Sequence, residues 1–369
     1  MPERVVVAMS GGVDSSVAAA LLVRRGFEVM GVMLRLWSEE GHGSPDESLS
    51  QQPGNRCCTL DAANDARAVA DVLGIPFYVM DAVTPFYEAV VEPFISAYRD
   101  GLTPNPCLAC NRSIRFGYLW RRAEQLGANT LATGHYSRLH TTATGEIQLV
   151  RGIDASKDQS YALSMVPSHV LARVIFPVGD LTKSQVRKLA ADFGLPTASR
   201  QESQDLCFVA DGDYRRFLQR QAPETVSAGP IVDSRGQRLG QHAGLAFFTV
   251  GQRGGLGIAA ARPLYVLAKQ PAGNMLIVGP AEELGANWLC THPANWISAM
   301  SLGVTRTLQV QLRYRARPVE AQVRVNQDET VEASLSEFVR DVTPGQAAVF
   351  YDGHLCLGGG IIKESARHV

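Results

Sequence analysis

Hydrophobic and polar positions change period along this chain, and the changes divide it into three stretches. Val5-Val6-Val7 is a short β-branched run fit for a buried strand. The helix-forming run at 17–22 follows, and Gly26 can stop it. A second apolar strand is expected over 29–37, a helix over 61–73 closed by Gly74, and a third strand over 75–80. Thr84 can cap a further helix with Pro85 in its first turn. A helix over 116–126 and a strand over 129–133 continue the alternation, which predicts an α/β class with a doubly wound parallel sheet. Residues 147–152 read as a hairpin arm, and 182–193 as a helix stopped by Gly194. From about Asp211 the βα rhythm is lost, and 251–257 is a glycine-rich loop without the strand-and-helix setting of a dinucleotide fingerprint. Near the C-terminus Leu308, Val310, Leu312 and Tyr314 alternate with Gln309, Gln311, Arg313 and Arg315, which predicts one apolar and one polar face. Strands flanking Asp352-Gly353 complete a hairpin signal and a small β-barrel. The expected units are 1–210, 211–286 and 287–369, with 38–56 a polar surface loop.

Composition narrows the class. The chain of 369 residues exceeds one ordinary core, and 46% hydrophobic with 19% charged residues fits a globular protein. Pro2-Glu3-Arg4 leads directly into the first strand with nothing like a signal peptide, and no apolar run reaches transmembrane length. Seven scattered cysteines point to a reduced, cytoplasmic protein whose important thiols are reactive or metal-bound. A net charge of −1 favours a small-molecule substrate, although a local basic patch serves nucleic acid equally well.

The first strand-to-helix turn carries the candidate chemistry: Ala8-Met9-Ser10-Gly11-Gly12-Val13-Asp14-Ser15. A tight turn at a helix N-terminus gathers backbone N–H groups and positive dipole potential around one point, which suits a pyrophosphate. The glycines allow close approach of the oxygens. The lysine of G-x-x-x-x-G-K-[ST] is absent, so this is no Walker loop. Ser-Gly-Gly-x-Asp-Ser instead resembles the pyrophosphatase-type loop of adenylating enzymes, which implies cleavage of ATP to AMP and pyrophosphate. Two strand ends on the same side of the sheet offer further contacts, Leu34 against the adenine and Gly134 beside the loop.

Two cysteine segments bear on what is made. In Thr103-Pro104-Asn105-Pro106-Cys107-Leu108-Ala109-Cys110-Asn111 the prolines predict an extended, stiff connection that displays a thiol at a helix start, near Arg112 and Arg115. The second is Cys207, between Leu206 and Phe208, where packing is the alternative to chemistry. Cys107 and Cys110 could pair with Cys57-Cys58 as a zinc site, but adjacent cysteines break the usual spacing. Cys290 and Cys356 sit in apolar β surroundings and read as core.

Nine ordered landmarks extend the likeness over nearly the whole chain. After the loop and the Thr-Pro-Asn-Pro-x-x-x-Cys-Asn segment come Ala132-Thr133-Gly134-His135-Tyr136, Lys157-Asp158-Gln159-Ser160-Tyr161 and Phe176-Pro177-Val178-Gly179. Cys207-Phe208, Gly251-Gln252-Arg253, Thr343-Pro344-Gly345-Gln346 and Cys356-Leu357-Gly358-Gly359-Gly360 follow. The series resembles the tRNA-specific 2-thiouridylase family. The resemblance implies a Rossmann-like, adenine nucleotide alpha-hydrolase-like PP-loop domain, a small central domain and a C-terminal β-barrel. It implies adenylation of the C2 oxygen of a wobble uridine followed by its replacement with sulfur. Cys110 then matches the nucleophile and Cys207 the persulfide carrier, with a Cys110–Cys207 disulfide formed in each turnover. Cys107 stands where many members have aspartate. The implied tRNA contacts are Asn105, Pro106, Cys107, His135, Lys157, Asp158, Gln159, Arg313, Tyr314 and Gln346. A flipped uridine is expected. So are magnesium on the pyrophosphate and a persulfide donor such as a cysteine desulfurase or sulfur-carrier protein. Two rival readings stay open: an iron–sulfur thiolase with Cys107, Cys110 and Cys207 as cluster ligands, and a nucleotide-binding RNA module without chemistry.

Overall fold

Val5, Val6 and Val7 are fully buried, and the pleat sends them to opposite faces of one sheet. Val6 packs into a cluster with Met30, Val32 and Leu131, whereas Val5 and Val7 join Val17, Val29 and Ala132 on the other side. A strand apolar on both faces belongs at the centre of a covered parallel sheet. That is its place in the computed structural model, which describes residues 2–37, 60–201, 206–209, 213–340 and 342–367. The strands are β1 (Arg4–Ala8), β2 (Glu28–Arg35), β3 (Phe77–Asp81), β4 (Thr130–Thr133) and, further along the chain, Val174–Ile175. Their order is β3-β2-β1-β4 followed by Val174–Ile175, every pairing parallel. Helices α1 (Val13–Arg24) and α2 (Leu60–Leu73) cover the Val5 and Val7 face, and Phe116, Leu119 and Ala123 of the helical segments Cys110–Tyr118 and Leu119–Gln125 cover the Val6 face. The doubly wound α/β expectation holds.

One expected cap is wrong. Thr84 lies inside the helix Val83–Phe86, and the Asp81 carboxylate accepts from the Val83 N–H at 2.9 Å in its place. The expected loop at 38–56 lies outside the described residues.

The β-rich part also reaches further back than the sequence suggests. The hairpin β5 (Ser137–Thr141) and β6 (Ile147–Arg151) leaves the parallel sheet and pairs β6 with the last strand, Leu355↔Val150 and Cys356↔Leu149. A separate four-stranded sheet, Tyr265–Gln270, Met275–Gly279, Gly229–Asp233 and Arg238–His242 in spatial order, forms the central unit. The C-terminal strands Ala286–Thr291, Val331–Val339, Val319–Val325, Thr305–Gln311, Ala347–Asp352 and Leu355–Ala366 pair in that spatial order. Leu355–Ala366 then returns to pair with Ala286–Thr291, which closes a six-stranded barrel without free edges. Asp352 pairs with Leu355, so the hairpin turn is Gly353-His354, one position later than expected.

The predicted alternation of Leu308 to Arg315 fails at Gln311. The strand ends there, Gln311 is buried, and Tyr314 is 39% exposed. Gln311 turns inward because its Oε1 accepts from Arg151 Nη2 at 3.2 Å and its Nε2 donates to the Arg313 carbonyl at 3.1 Å. A distant arginine outweighs the local period.

Candidate active site

The loop between β1 and α1 is shaped by what presses on it. Gly11 has φ +71°, and a Cβ there would lie 2.3 Å from the Ala62 carbonyl oxygen of α2. Only glycine meets both conditions. Gly134, at the end of β4, is pressed on the start of α1, where a Cβ would lie 2.7 Å from Asp14 C and Ser15 N. The hydroxyls close the loop: Ser15 Oγ donates to the Gly12 carbonyl at 3.0 Å and accepts from Ser10 N at 3.2 Å. Ser16 Oγ donates to the same carbonyl at 2.9 Å. Met9 and Val13 are core side chains, and Ala8 closes β1, so these three offer a ligand backbone groups. Gly12 caps α1 with no side-chain hydrogen bond, which leaves the first-turn amides and the helix dipole directed at an incoming anion.

Asp14 is the anchor of a charged group that the sequence did not disclose. Lys183 Nζ donates to its two carboxylate oxygens at 2.7 and 2.8 Å, and the Tyr136 hydroxyl donates to Oδ1 at 2.6 Å. The loop that lacks its own lysine thus receives one from the first residue of the helix Lys183–Asp192. The Thr182–Gln185 capping box fixes where that helix begins, and Asp154 Oδ2 accepts from Lys183 N at 2.9 Å. One signal was available: a lysine in the first turn opposes the helix dipole, so it needs another reason to be there.

The thiols belong to a different cluster. Cys110 is 6% exposed among Leu36, Trp37, Phe86, Phe94, Phe208 and Phe217, and the half-buried Cys207 packs on the same cluster. Leu34, at the end of β2, touches both this cluster and the core beneath the sheet. The prolines do not keep the segment extended to Asn111. Helical structure begins at Pro106, because a proline in the first turn needs no donor and Asn105 Oδ1 accepts from Cys107 N at 3.2 Å. Cys107 is exposed while Cys110, on the next turn, is buried. Among the described residues no three His, Cys, Asp or Glu side chains converge as metal ligands, so the arrangement of Cys107, Cys110 and Cys207 lends no support to the iron–sulfur reading. Cys57 and Cys58, invoked for zinc, lie outside the described residues. Cys290 and Cys356 are core, and burial pushes the Cys356 thiol up to about 12.

The residues expected to meet RNA gather around the strand-like connection 102–105. Gln346 Nε2 donates to the Thr103 carbonyl at 2.9 Å, and Thr103 N donates to the Pro344 carbonyl at 3.1 Å. Arg313 Nη2 donates to Thr343 Oγ1 at 2.9 Å, and the Tyr314 ring lies 6.2 Å from that of Tyr161. Tyr161 hydrogen-bonds the Asn105 side chain and donates to the Ala347 carbonyl at 3.1 Å. Pro106 is buried beside them, and Lys157 is half-buried. Two of the expected contacts face inward. The Asp158 carboxylate accepts from Gly152 N, Ser160 N, Ser160 Oγ and Arg151, and its side chain is 7% exposed. The His135 ring is buried between Phe116 and Phe176 with Nδ1 2.7 Å from Thr133 Oγ1, and desolvation with the Arg115 charge pushes its pKa down to about 3. Gln159 Oε1 accepts from Tyr136 N at 3.0 Å, tying this loop to the residue beside His135.

Comparison with known proteins fits this arrangement. Residues 3–211 match the model described as the tRNA methyl transferase HUP domain, 215–280 its PRC-barrel domain, and 286–362 an aminomethyltransferase beta-barrel domain. A tRNA-specific 2-thiouridylase MnmA of Chloroflexus aggregans is 49% identical over 98% of this chain and 98% of its own. That of Moorella thermoacetica is 46% identical over 98% of this chain and 100% of its own. The chain belongs to the tRNA-specific 2-thiouridylase family. Of the landmarks read from the sequence, Ser10 to Ser15 build the loop, Cys207 and Phe208 lie at the thiol cluster, and Thr343 to Gln346 hold the 102–105 connection. No described helix is long and apolar enough to cross a membrane.

Proposed function

We propose that this chain is an ATP-dependent tRNA-uridine 2-sulfurtransferase that thiolates the wobble uridine at C2. The observation that carries the reading is the pairing of a phosphate-cradling loop, held by Asp14 and Lys183, with two thiols in one apolar cluster. Family membership agrees with it. The amides of Gly11 to Ser15 and the Lys183 ammonium take the ATP phosphates, and magnesium carried on them would find Asp14 as its carboxylate ligand. The C2 oxygen of the uridine attacks the α-phosphorus, and pyrophosphate leaves. Oxygen on C2 is a poor leaving group, and AMP makes it a good one.

Cys207 brings sulfur as a persulfide from a donor protein such as a cysteine desulfurase or a sulfur carrier. Its terminal sulfur attacks C2 and AMP departs. The Cys110 thiolate then attacks the Cys207 sulfur, which frees the 2-thiouridine and leaves a Cys110–Cys207 disulfide. If Cys110 instead attacks first and releases sulfide, the products are the same. A cellular thiol returns both cysteines to the reduced state, which suits the cytoplasm. We assign tRNA contact to the surface around Asn105, Pro106, Cys107, Lys157, Gln159, Arg313, Tyr314 and Gln346, over working units 1–210, 211–286 and 287–369. His135 and Asp158, whose side chains are engaged internally, shape that surface from beneath.

Mass spectrometry of tRNA nucleosides after incubation with ATP and a persulfide donor tests the reading. Wild type should produce 2-thiouridine, and Cys110→Ser and Cys207→Ser should each abolish it while pyrophosphate release persists. Full thiolation by either serine variant sinks the assignment.

A further inference from the structure

The segment that leads to Cys110 is held from two sides by parts of the chain far from it in sequence. On one side stand Gln346 and the Pro344 carbonyl, and Gly345 fits so closely that a Cβ there would lie 2.8 Å from Thr103 N. On the other side stands the central unit. Lys269 Nζ, on the strand Tyr265–Gln270, donates to the Leu102 carbonyl at 3.1 Å and to Thr103 Oγ1 at 3.5 Å. Its ammonium lies 5.6 Å from the Tyr98 ring centroid. Next to it, a Cβ on Gly101, whose φ is +73°, would lie 2.6 Å from Pro271 Cγ.

We infer that Lys269 is a positioning residue for Cys110. It fastens the 101–105 strap and so fixes where the helical segment bearing both Cys107 and Cys110 begins. The inference rests on the reading of Cys110 as the nucleophile.

The chemistry of the contact supports a positioning role over simple packing. The partners of Lys269 among the described residues are a carbonyl, a hydroxyl and a ring face, and none is a carboxylate. An ammonium taken from water without a counter-ion costs stability, and burial here pushes its pKa down to about 8. A methionine would fill similar space without that cost. What the ammonium supplies and methionine lacks is direction: its N–H groups point at one carbonyl and one hydroxyl of the strap. Two residues later Asn105 caps the helix, with Oδ1 on Cys107 N. A strap displaced by an ångström carries Asn105, and with it the first helical turns, out of register.

Lys269→Met and Lys269→Arg in the full-length protein test this through kinetics and through iodoacetamide labelling of individual cysteines, read by peptide mass spectrometry. For Lys269→Met we expect Cys110 labelling to rise about tenfold relative to Cys107, and kcat for tRNA thiolation to fall about tenfold with the KM for ATP unchanged. Lys269→Arg should restore both to within about twofold, since the guanidinium keeps donors on the strap. The melting temperature of Lys269→Met should equal or exceed wild type, because a half-buried charge with no carboxylate partner among the described residues is removed. An unchanged labelling ratio, a failure of arginine to rescue, or a lowered melting temperature that accounts for the lost rate overturns the inference. Absence of thiolation by wild type would defeat the proposed function instead, and the labelling ratio would still decide the role of Lys269.

Discussion

Lys183 Nζ contacts both carboxylate oxygens of Asp14, at 2.7 and 2.8 Å, across a sequence separation of 169 residues. Hydrogen bonds between charged groups are about twice as strong as neutral ones, so this pair both orders the loop and holds a cation where phosphate charge arrives. Lys183→Met should lower pyrophosphate release by about a hundredfold, the scale of losing one charge-stabilising donor. Tyr136→Phe removes a hydrogen bond to the Asp14 carboxylate but no charge, and should cost about 2 kcal/mol. Comparable rates for wild type and Lys183→Met would remove Lys183 from the phosphate site.

Gly11 and Gly26 separate backbone conformation from packing. Both have positive φ, +71° and +84°, but a Cβ at Gly26 meets nothing within 4 Å while one at Gly11 meets the Ala62 carbonyl. Gly26→Ala should cost about 1 kcal/mol, the left-handed backbone penalty alone. Gly11→Ala should cost more and should also abolish the rise in melting temperature produced by ATP, since α2 must shift away from the loop. Equal melting temperatures for the two variants, with ATP protection intact in both, would show that the loop does not depend on its contact with α2.

What the sequence disclosed was local. The β-branched run Val5 to Val7, the Ser-Gly-Gly turn and the helix beyond carry their signals within a few residues, and the fold follows them. Pairings over long separations left no such signal. Nothing near Gln311 announces that Arg151 will turn it inward, and nothing near Ser137 announces that β5 and β6 will join the barrel. The thiols stood out as candidates by their segments, and their roles came from the resemblance to the 2-thiouridylase family. Their shared cluster depends on Trp37, Phe94, Phe208 and Phe217 coming together from three parts of the chain.

His135 sets an acid limit on stability. Its folded pKa of about 3 lies below the ordinary histidine value near 6.5, so between those values the unfolded chain binds a proton that the folded chain refuses. Stability should therefore fall as pH drops below about 6.5, by at most about 1.4 kcal/mol per pH unit from this group. His135→Gln keeps a hydrogen-bonding partner for Thr133 and removes the titration. Between pH 7.5 and 5.0 wild type should lose about 2 kcal/mol more than the variant in urea unfolding, with other groups cancelling. Parallel pH profiles for the two proteins would mean that the imidazole is protonated without penalty.

Arg313 distinguishes charge from scaffolding at the expected RNA surface. Its guanidinium donates to Thr343 Oγ1 at 2.9 Å and to the Val250 carbonyl at 3.4 Å, so it bridges the barrel to the glycine-rich loop of the central unit. Replacement by alanine removes a cation and a brace together. A phosphate contact has its own signature, because neutralising one phosphate releases about one counterion and sets one unit of the slope of log K against log salt. Arg313→Ala should weaken tRNA binding and flatten that slope by about 1. Thr343→Val removes the shorter of the two contacts of the brace and keeps the charge, and it should leave the slope as in wild type even where affinity drops. If Arg313→Ala binds more weakly with an unchanged slope, the guanidinium serves as a strut between domains, and the phosphate contact belongs to another residue.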